Sequence, residues 1–175
     1  MDQLSPFDYP SKNRGRVNRG MKAKASILVV EDDPNIRETL DTILRQKGYI
    51  TDTAKDGREA LQKSTAKFFN LALLDIKLPD IEGTKVLAKM HETLPKMVKI
   101  MVTGYPSLEN SVEALNLGAD AYIIKPVNPD KLLNLVEEKL KEQSQAKRMT
   151  EAKVTQWIKT RVRKMENNFQ RRKIS

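Results

Sequence analysis

The stretch "LALLDIKLPD", residues 71–80, sets an acid directly behind four apolar residues. The run is too short for a helix and reads as a buried strand, which puts Asp75 at its C-terminal tip. A carboxylate beside a hydrophobic core costs free energy unless something compensates it. The compensation has to come from whatever else shares that tip.

Four further runs have the same strand character: ILVV (27–30), YITDTA (49–54), VKIMVT (98–103) and AYII (121–124). Between them the spacing predicts helices near 34–47, 57–66, 82–94 and 107–117, with another from about 129. Pro34 directly after Asp33 suits a first helical position, and Asp56-Gly57-Arg58-Glu59 has the spacing of a capping box. Gly48 and Gly118 stand where helices should stop. Five strands alternating with five helices predict an α/β fold, a doubly wound five-stranded parallel sheet covered on both faces.

In such a sheet all strands end on one edge, where ligands bind. After strand one come Glu31, Asp32 and Asp33; strand three ends in Asp75, strand four in Thr103-Gly104, and strand five is followed by Lys125-Pro126. Each has an ordinary explanation alone: Asp33 as a helix cap, Thr103 as a β-former, Lys125 as a surface cation. Together on one edge they are hard to ascribe to accident. Clustered carboxylates repel, so one must protonate or gain a cation. Oxygen donors without His or Cys suit a hard divalent ion, Mg²⁺ or Mn²⁺ rather than Zn²⁺. A carboxylate nucleophile, a metal and a lysine are the parts needed to form an aspartyl phosphate.

At this point the stretches ILVVEDDP, LALLDIKLPDIEG, IMVTGYPS and GADAYIIKP, in that order, resemble the receiver domain of two-component response regulators over residues 26–143. The resemblance implies a flavodoxin-like receiver fold and a phosphorelay switch rather than an enzyme, one that catalyses only its own phosphoryl transfer and dephosphorylation. It makes Asp75 the phosphorylated residue, with Asp32, Asp33, Asp75 and the backbone carbonyl of Lys77 as metal ligands. Thr103 and Lys125 would contact the phosphoryl group, Thr103 and Tyr122 would form the switch, and Pro126 would follow a cis peptide bond. It also implies a sensor histidine kinase or phosphotransfer protein as donor and a downstream protein target reached through the face of helix four, strand five and helix five. Gly104 departs from the more usual alanine, which should loosen that loop.

Two rival classes fail on motifs. A haloacid dehalogenase-type phosphatase needs an acid two residues past the nucleophile, where this chain has Lys77; the seven glycines form no phosphate-binding loop. His91, the only histidine, falls within the expected third helix, away from the strand tips, and reads as a surface or boundary residue.

Composition bounds the rest. The 175 residues, 39% hydrophobic, suit one domain with appendages, and no apolar run approaches the ~18 residues of a membrane span. The N-terminus lacks the apolar middle of a secretory signal. The absence of cysteine excludes disulfides and thiol chemistry and fits a cytoplasmic location.

The net charge of +9 is unevenly distributed. Residues 26–143 carry 16 Lys+Arg against 19 Asp+Glu, a net −3, whereas 1–25 carry six against two and 144–175 ten against two. Attraction to anions therefore resides in the ends. Residues 1–25, without hydrophobic period, are expected to form a disordered basic extension.

Residues 144–175 are expected to form a basic amphipathic helical tail, because from Asp130 onward there is no Gly or Pro. KEQSQAKR (141–148) is polar on every side, either a solvated connector or a break. Beyond it Val154, Ile158, Val162, Met165 and Phe169 fall within a stripe of about 80°, flanked by Trp157. The stripe predicts docking on the receiver, a homodimer, or a partner protein; nucleic acid and an anionic membrane surface are alternatives, in which the basic helix itself would be the gated output.

Overall fold

The computed structural model describes residues 25–90, 96–104 and 106–173, with the backbone alone for Asn110 and residues 164–173. The expected disorder of residues 1–24, and His91, lie outside the described residues. Five strands, β1 (Ser26–Val30), β2 (Ile50–Ala54), β3 (Leu71–Asp75), β4 (Val98–Thr103) and β5 (Ala121–Ile124), alternate with five helices. These are α1 (Pro34–Gln46), α2 (Gly57–Ala66), α3 (Gly83–Lys89), α4 (Leu108–Asn116) and α5 (Pro129–Lys173).

All neighbouring strands are parallel, in the order β2-β1-β3-β4-β5. Both sheet faces are buried, which is why the strands read as nearly continuous apolar runs. Leu28, Val30, Ala72, Leu74 and Met101 pack with Ala60, Val86, Leu87 and Ala114 of α2, α3 and α4. On the other face Ile27, Val29, Leu71, Leu73, Ile100 and Val102 pack with Leu40, Leu44, Leu132 and Val136 of α1 and α5. β3 is the central strand and is buried along its whole length, Asp75 included.

Local signals set the helix boundaries. Asp33 caps α1 with Pro34 at its first position, and Gly48 and Gly118 take the left-handed backbone (φ 82° and 94°) that ends a helix. Half of the capping box forms: the Asp56 carboxylate accepts from the Glu59 amide, but Glu59 reaches the Lys55 amide instead of closing on Asp56. The helix expected over 82–94 is described only to Lys89, capped by Met90; residues 91–95 lie outside the described residues.

α5 is the departure from a bare sandwich. It packs along β4 and β5 from the C-terminal edge of the sheet to the opposite edge, where Gln143 donates to the carbonyls of Asn70 (2.8 Å) and Lys96 (2.6 Å). It then continues without a break, so 141–148 is a helical connector. Its 45 residues span about 67 Å at 1.5 Å per residue. From 144 to 163 every residue is exposed, Trp157 at 60% and Ile158 at 49%. Docking of the tail back on its own receiver, one expectation for the stripe, does not occur over those residues. Among the described residues no helix is long and apolar enough to cross a membrane.

Candidate functional site

The site is built where β1, β3, β4 and β5 end. Beyond Val30 the chain stays extended for one more residue, with the Glu31 amide donating to Ala54 O of β2 (3.0 Å). Arg37, one turn into α1, donates to the carbonyls of Glu31 (2.7 Å) and Asp32 (3.0 Å) and so braces the acidic loop. On β3, Asp75 is 6% exposed; its Oδ1 accepts from the Lys77 amide (3.1 Å) and its Oδ2 accepts from Lys125 Nζ (2.6 Å). The same ammonium lies 2.7 Å from Glu31 Oε2. One lysine thus bridges two buried carboxylates, which is the compensation that the strand tip requires.

Glu31, Asp32 and Asp75 each place a carboxylate oxygen within 4.8 Å of the other two. Of the carboxylates that the resemblance makes metal ligands, Asp32 and Asp75 lie in this cluster and Asp33 does not. Asp33 Oδ1 accepts from the amides of Asn35 (2.8 Å) and Ile36 (3.1 Å), so that carboxylate is committed to the α1 N-terminus. Its place among the clustered acids is taken by Glu31, 1% exposed.

Asp33 directly before Pro34 has the signature of a helix cap, but a carboxylate there suits an ion cluster equally, so the sequence alone does not divide the three acids. The cluster fits a hard divalent cation in donor chemistry, three carboxylates without nitrogen or sulfur.

Thr103 is fully buried at the end of β4, and its carbonyl accepts from the Lys125 amide (2.8 Å). The Lys125–Pro126 peptide bond is cis. Tyr122 packs on the core beside α4, its hydroxyl buried without a hydrogen-bond partner among the described residues. A methyl on Gly104 would lie 3.9 Å from Lys125 Cδ, an ordinary contact, so packing does not demand glycine there.

Two residues without an obvious sequence signal hold the β3–α3 loop. The Asp80 carboxylate accepts from the amides of Gly57 (2.8 Å) and Arg58 (2.9 Å) at the start of α2. Despite some desolvation, these bonds hold it below the usual carboxylate range. Gly83 donates to Ile76 O (2.7 Å) and sits so close to β3 that a Cβ would fall 1.9 Å from Asp75 O.

Burial pushes the Glu31 carboxyl above its ordinary value, against the opposing hydrogen bond from Lys125. Burial also opposes the Lys125 charge, but hydrogen bonds to Asp75 and Glu31 outweigh it and hold that ammonium above the usual lysine value. A folded pKa raised above the unfolded one contributes stability below the unfolded pKa and loses it as pH rises through the folded one. The Lys125 contribution is thus intact at neutral pH and lost above about pH 10.5. The Glu31 contribution exists only in acid, so at neutral pH its buried charge works against the fold.

In chelator at pH 7, Glu31→Gln is therefore expected to melt at or slightly above wild type, its advantage shrinking toward pH 4. Glu31 as an Mg²⁺ ligand predicts the reverse order on adding the ion, because an amide is the poorer ligand and binding stabilises by mass action. Thermal melts across pH, with and without Mg²⁺, check this; a lower midpoint for the variant in chelator at pH 7 would count against the sign derived.

Comparisons with known proteins agree with the fold. The family model described as response regulator receiver domain matches residues 27–137. The chain is 36% identical over 127 residues to the regulatory protein AtoC of Escherichia coli K12, covering 73% of this chain and 28% of that protein. It is 39% identical over 107 residues to the transcriptional regulatory protein DltR of Streptococcus agalactiae NEM316, covering 61% of this chain and 48% of that one. The chain thus spans between about a quarter and a half of the length of the curated relatives it matches.

A solved CheY-like receiver domain protein from Methanospirillum hungatei JF-1 is 54% identical, with a TM-score of 0.68 over 70% of this chain and 98% of its own. Fold, strand-edge chemistry and matched motifs converge: the chain belongs to the response regulator receiver domain family.

Proposed function

We propose that this chain is a phosphorylation-controlled switch in which Asp75 accepts the phosphoryl group. The observation carrying the reading is the Lys125 ammonium bridging Asp75 and Glu31 at the strand edge, beside exposed Asp32. A carboxylate oxygen of Asp75 attacks phosphorus; an O–P bond forms as the P–N bond to the donor imidazole breaks, and the imidazole leaves with a proton. Glu31, Asp32, Asp75 and the Lys77 carbonyl are the groups that would hold Mg²⁺, which when bound offsets charge on the phosphoryl oxygens. Asp33 serves α1 as its cap. A sensor histidine kinase or phosphotransfer protein is the donor, and water removes the group by the same site's autodephosphorylation.

Lys125 and Thr103 then read the new charge. Lys125 exchanges its pairing with Glu31 for the phosphoryl oxygens, and the Thr103 hydroxyl donates to them. The Tyr122 hydroxyl, buried without a hydrogen-bond partner among the described residues, supports a movable ring, since leaving such a group unsatisfied costs about 1–3 kcal/mol. The response is a population shift in the face of α4, β5 and α5 that changes which protein docks there.

Incubation with acetyl phosphate and Mg²⁺ should add one phosphoryl group by intact mass, labile to hydroxylamine, and chelator should abolish it. No addition under these conditions sinks the reading.

Lys125→Ala should still be labelled, yet lose the phosphorylation-dependent change in hydrogen exchange across 108–124. Thr103→Ala should lose only part of it. A wild-type exchange response in Lys125→Ala would show that the lysine only balances charge in the resting site.

A further inference from the structure

Two exposed apolar surfaces face no partner among the described residues, and they carry opposite charge. On α4, Leu108 (81% exposed), Val112 and Leu115 form a stripe that Glu109 and Glu113 flank, with no basic residue in the last turn. Leu108, Val112, Asn116 and Leu117 line a shallow groove there with those two acids. On the tail, Val154, Ile158 and Val162 form the second stripe, with Lys159 and Arg161 on either side. Arg161 lies 5.1 Å over the Trp157 ring, an exposed pair of the residue types that anchor interfaces. At 1.5 Å per residue each stripe is about 10–12 Å long.

The geometry points to the tail helix of one copy docking on the α4 face of a second copy, apolar stripe on stripe and Lys159 and Arg161 against Glu109 and Glu113. This deepens the reading above, in which that face is where the switch acts. The tail cannot serve its own α4. α5 leaves the sheet at the edge opposite the site, held there by Gln143, and carries Val154–Val162 roughly 16–28 Å beyond it. Tail against tail is disfavoured, because 144–175 holds ten Lys+Arg and two Asp+Glu, whereas 26–143 is net negative. Two copies related by a two-fold axis satisfy both contacts at once, which closes the assembly as a dimer.

The test is sedimentation of the full chain across concentration, with and without acetyl phosphate and Mg²⁺, with intact mass read on the same samples. Wild type should dimerise. Glu109→Lys with Glu113→Lys, and separately Lys159→Glu with Arg161→Glu, should each weaken dimerisation by at least ~10-fold. Mixing the two variants should restore it, because each then offers the other a complementary face. Ile158→Asp with Val162→Asp should be monomeric, and all variants should retain Asp75 labelling, which shows that they fold.

The proposal is overturned by a monomeric wild type, by a dimer indifferent to the α4 variant, or by a mixture that stays monomeric. It is equally overturned if the tail drives binding to phosphatidylglycerol vesicles without self-association. Loss of labelling with dimerisation intact would instead sink the Asp75 assignment alone.

Discussion

Asp75→Asn is expected to take no phosphoryl group from acetyl phosphate and Mg²⁺, with intact mass unchanged where wild type gains one group. The amide is close to isosteric, so the loss reports the nucleophile rather than the fold. Two other carboxylates lie within reach and make the result informative. Glu31 is held by Lys125 away from solvent, and Asp32 lies on the loop that Arg37 braces rather than at a strand end, so neither should substitute.

Stability should not fall much, because Lys125 keeps Glu31 as partner and the charge of Asp75, one of the causes raising the Glu31 pKa, is removed. Full labelling of Asp75→Asn would show that the acceptor lies elsewhere.

Gly83→Ala is expected to be the most damaging single-methyl change in the body. The added carbon would lie 1.9 Å from Asp75 O, 2.9 Å from Asp75 C and 2.9 Å from Ile76 Cα, all of them backbone atoms of or just beyond the central strand that no rotamer change can move. Either α3 retreats, breaking the Gly83–Ile76 hydrogen bond and the packing of Val86 and Leu87, or the tip of β3 moves and takes Asp75 with it.

Overpacking typically costs 1–3 kcal/mol and sometimes more, and backbone-on-backbone contact belongs at about 3 kcal/mol. For a body of this size that lowers the midpoint by roughly 10 °C. Labelling of Asp75 should slow as well, since a displacement of about 1 Å at a reacting group can cost on the order of 100-fold. A thermal melt within about 2 °C of wild type would mean that α3 yields freely.

The residue pattern was enough for much of this protein. Apolar runs bounded by glycine, proline and acids specify five strands and five helices, because each signal acts within a turn or a strand. Parallel order then forces their ends onto one edge, so the pattern alone puts Asp32, Asp75, Thr103 and Lys125 there. The absence of Gly and Pro allows a long tail helix, but the pattern leaves 141–148 as either connector or break, and only the structure carries the helix through it.

What the pattern could not divide was the run Glu31-Asp32-Asp33, because capping a helix and joining an ion cluster call for the same carboxylate. The choice turned on β1 staying extended through Glu31, where pairing with Ala54 carries it to Lys125, and on the α1 amides claiming Asp33. Asp80 at the α2 start and Gly83 against Asp75 O join residues far apart in sequence or across a loop, so no local preference announces them. Whether the tail stripe is covered was likewise a tertiary matter. Gln143 fixes where α5 leaves the body, and past that point a continuous helix holds its apolar stripe beyond reach of its own core.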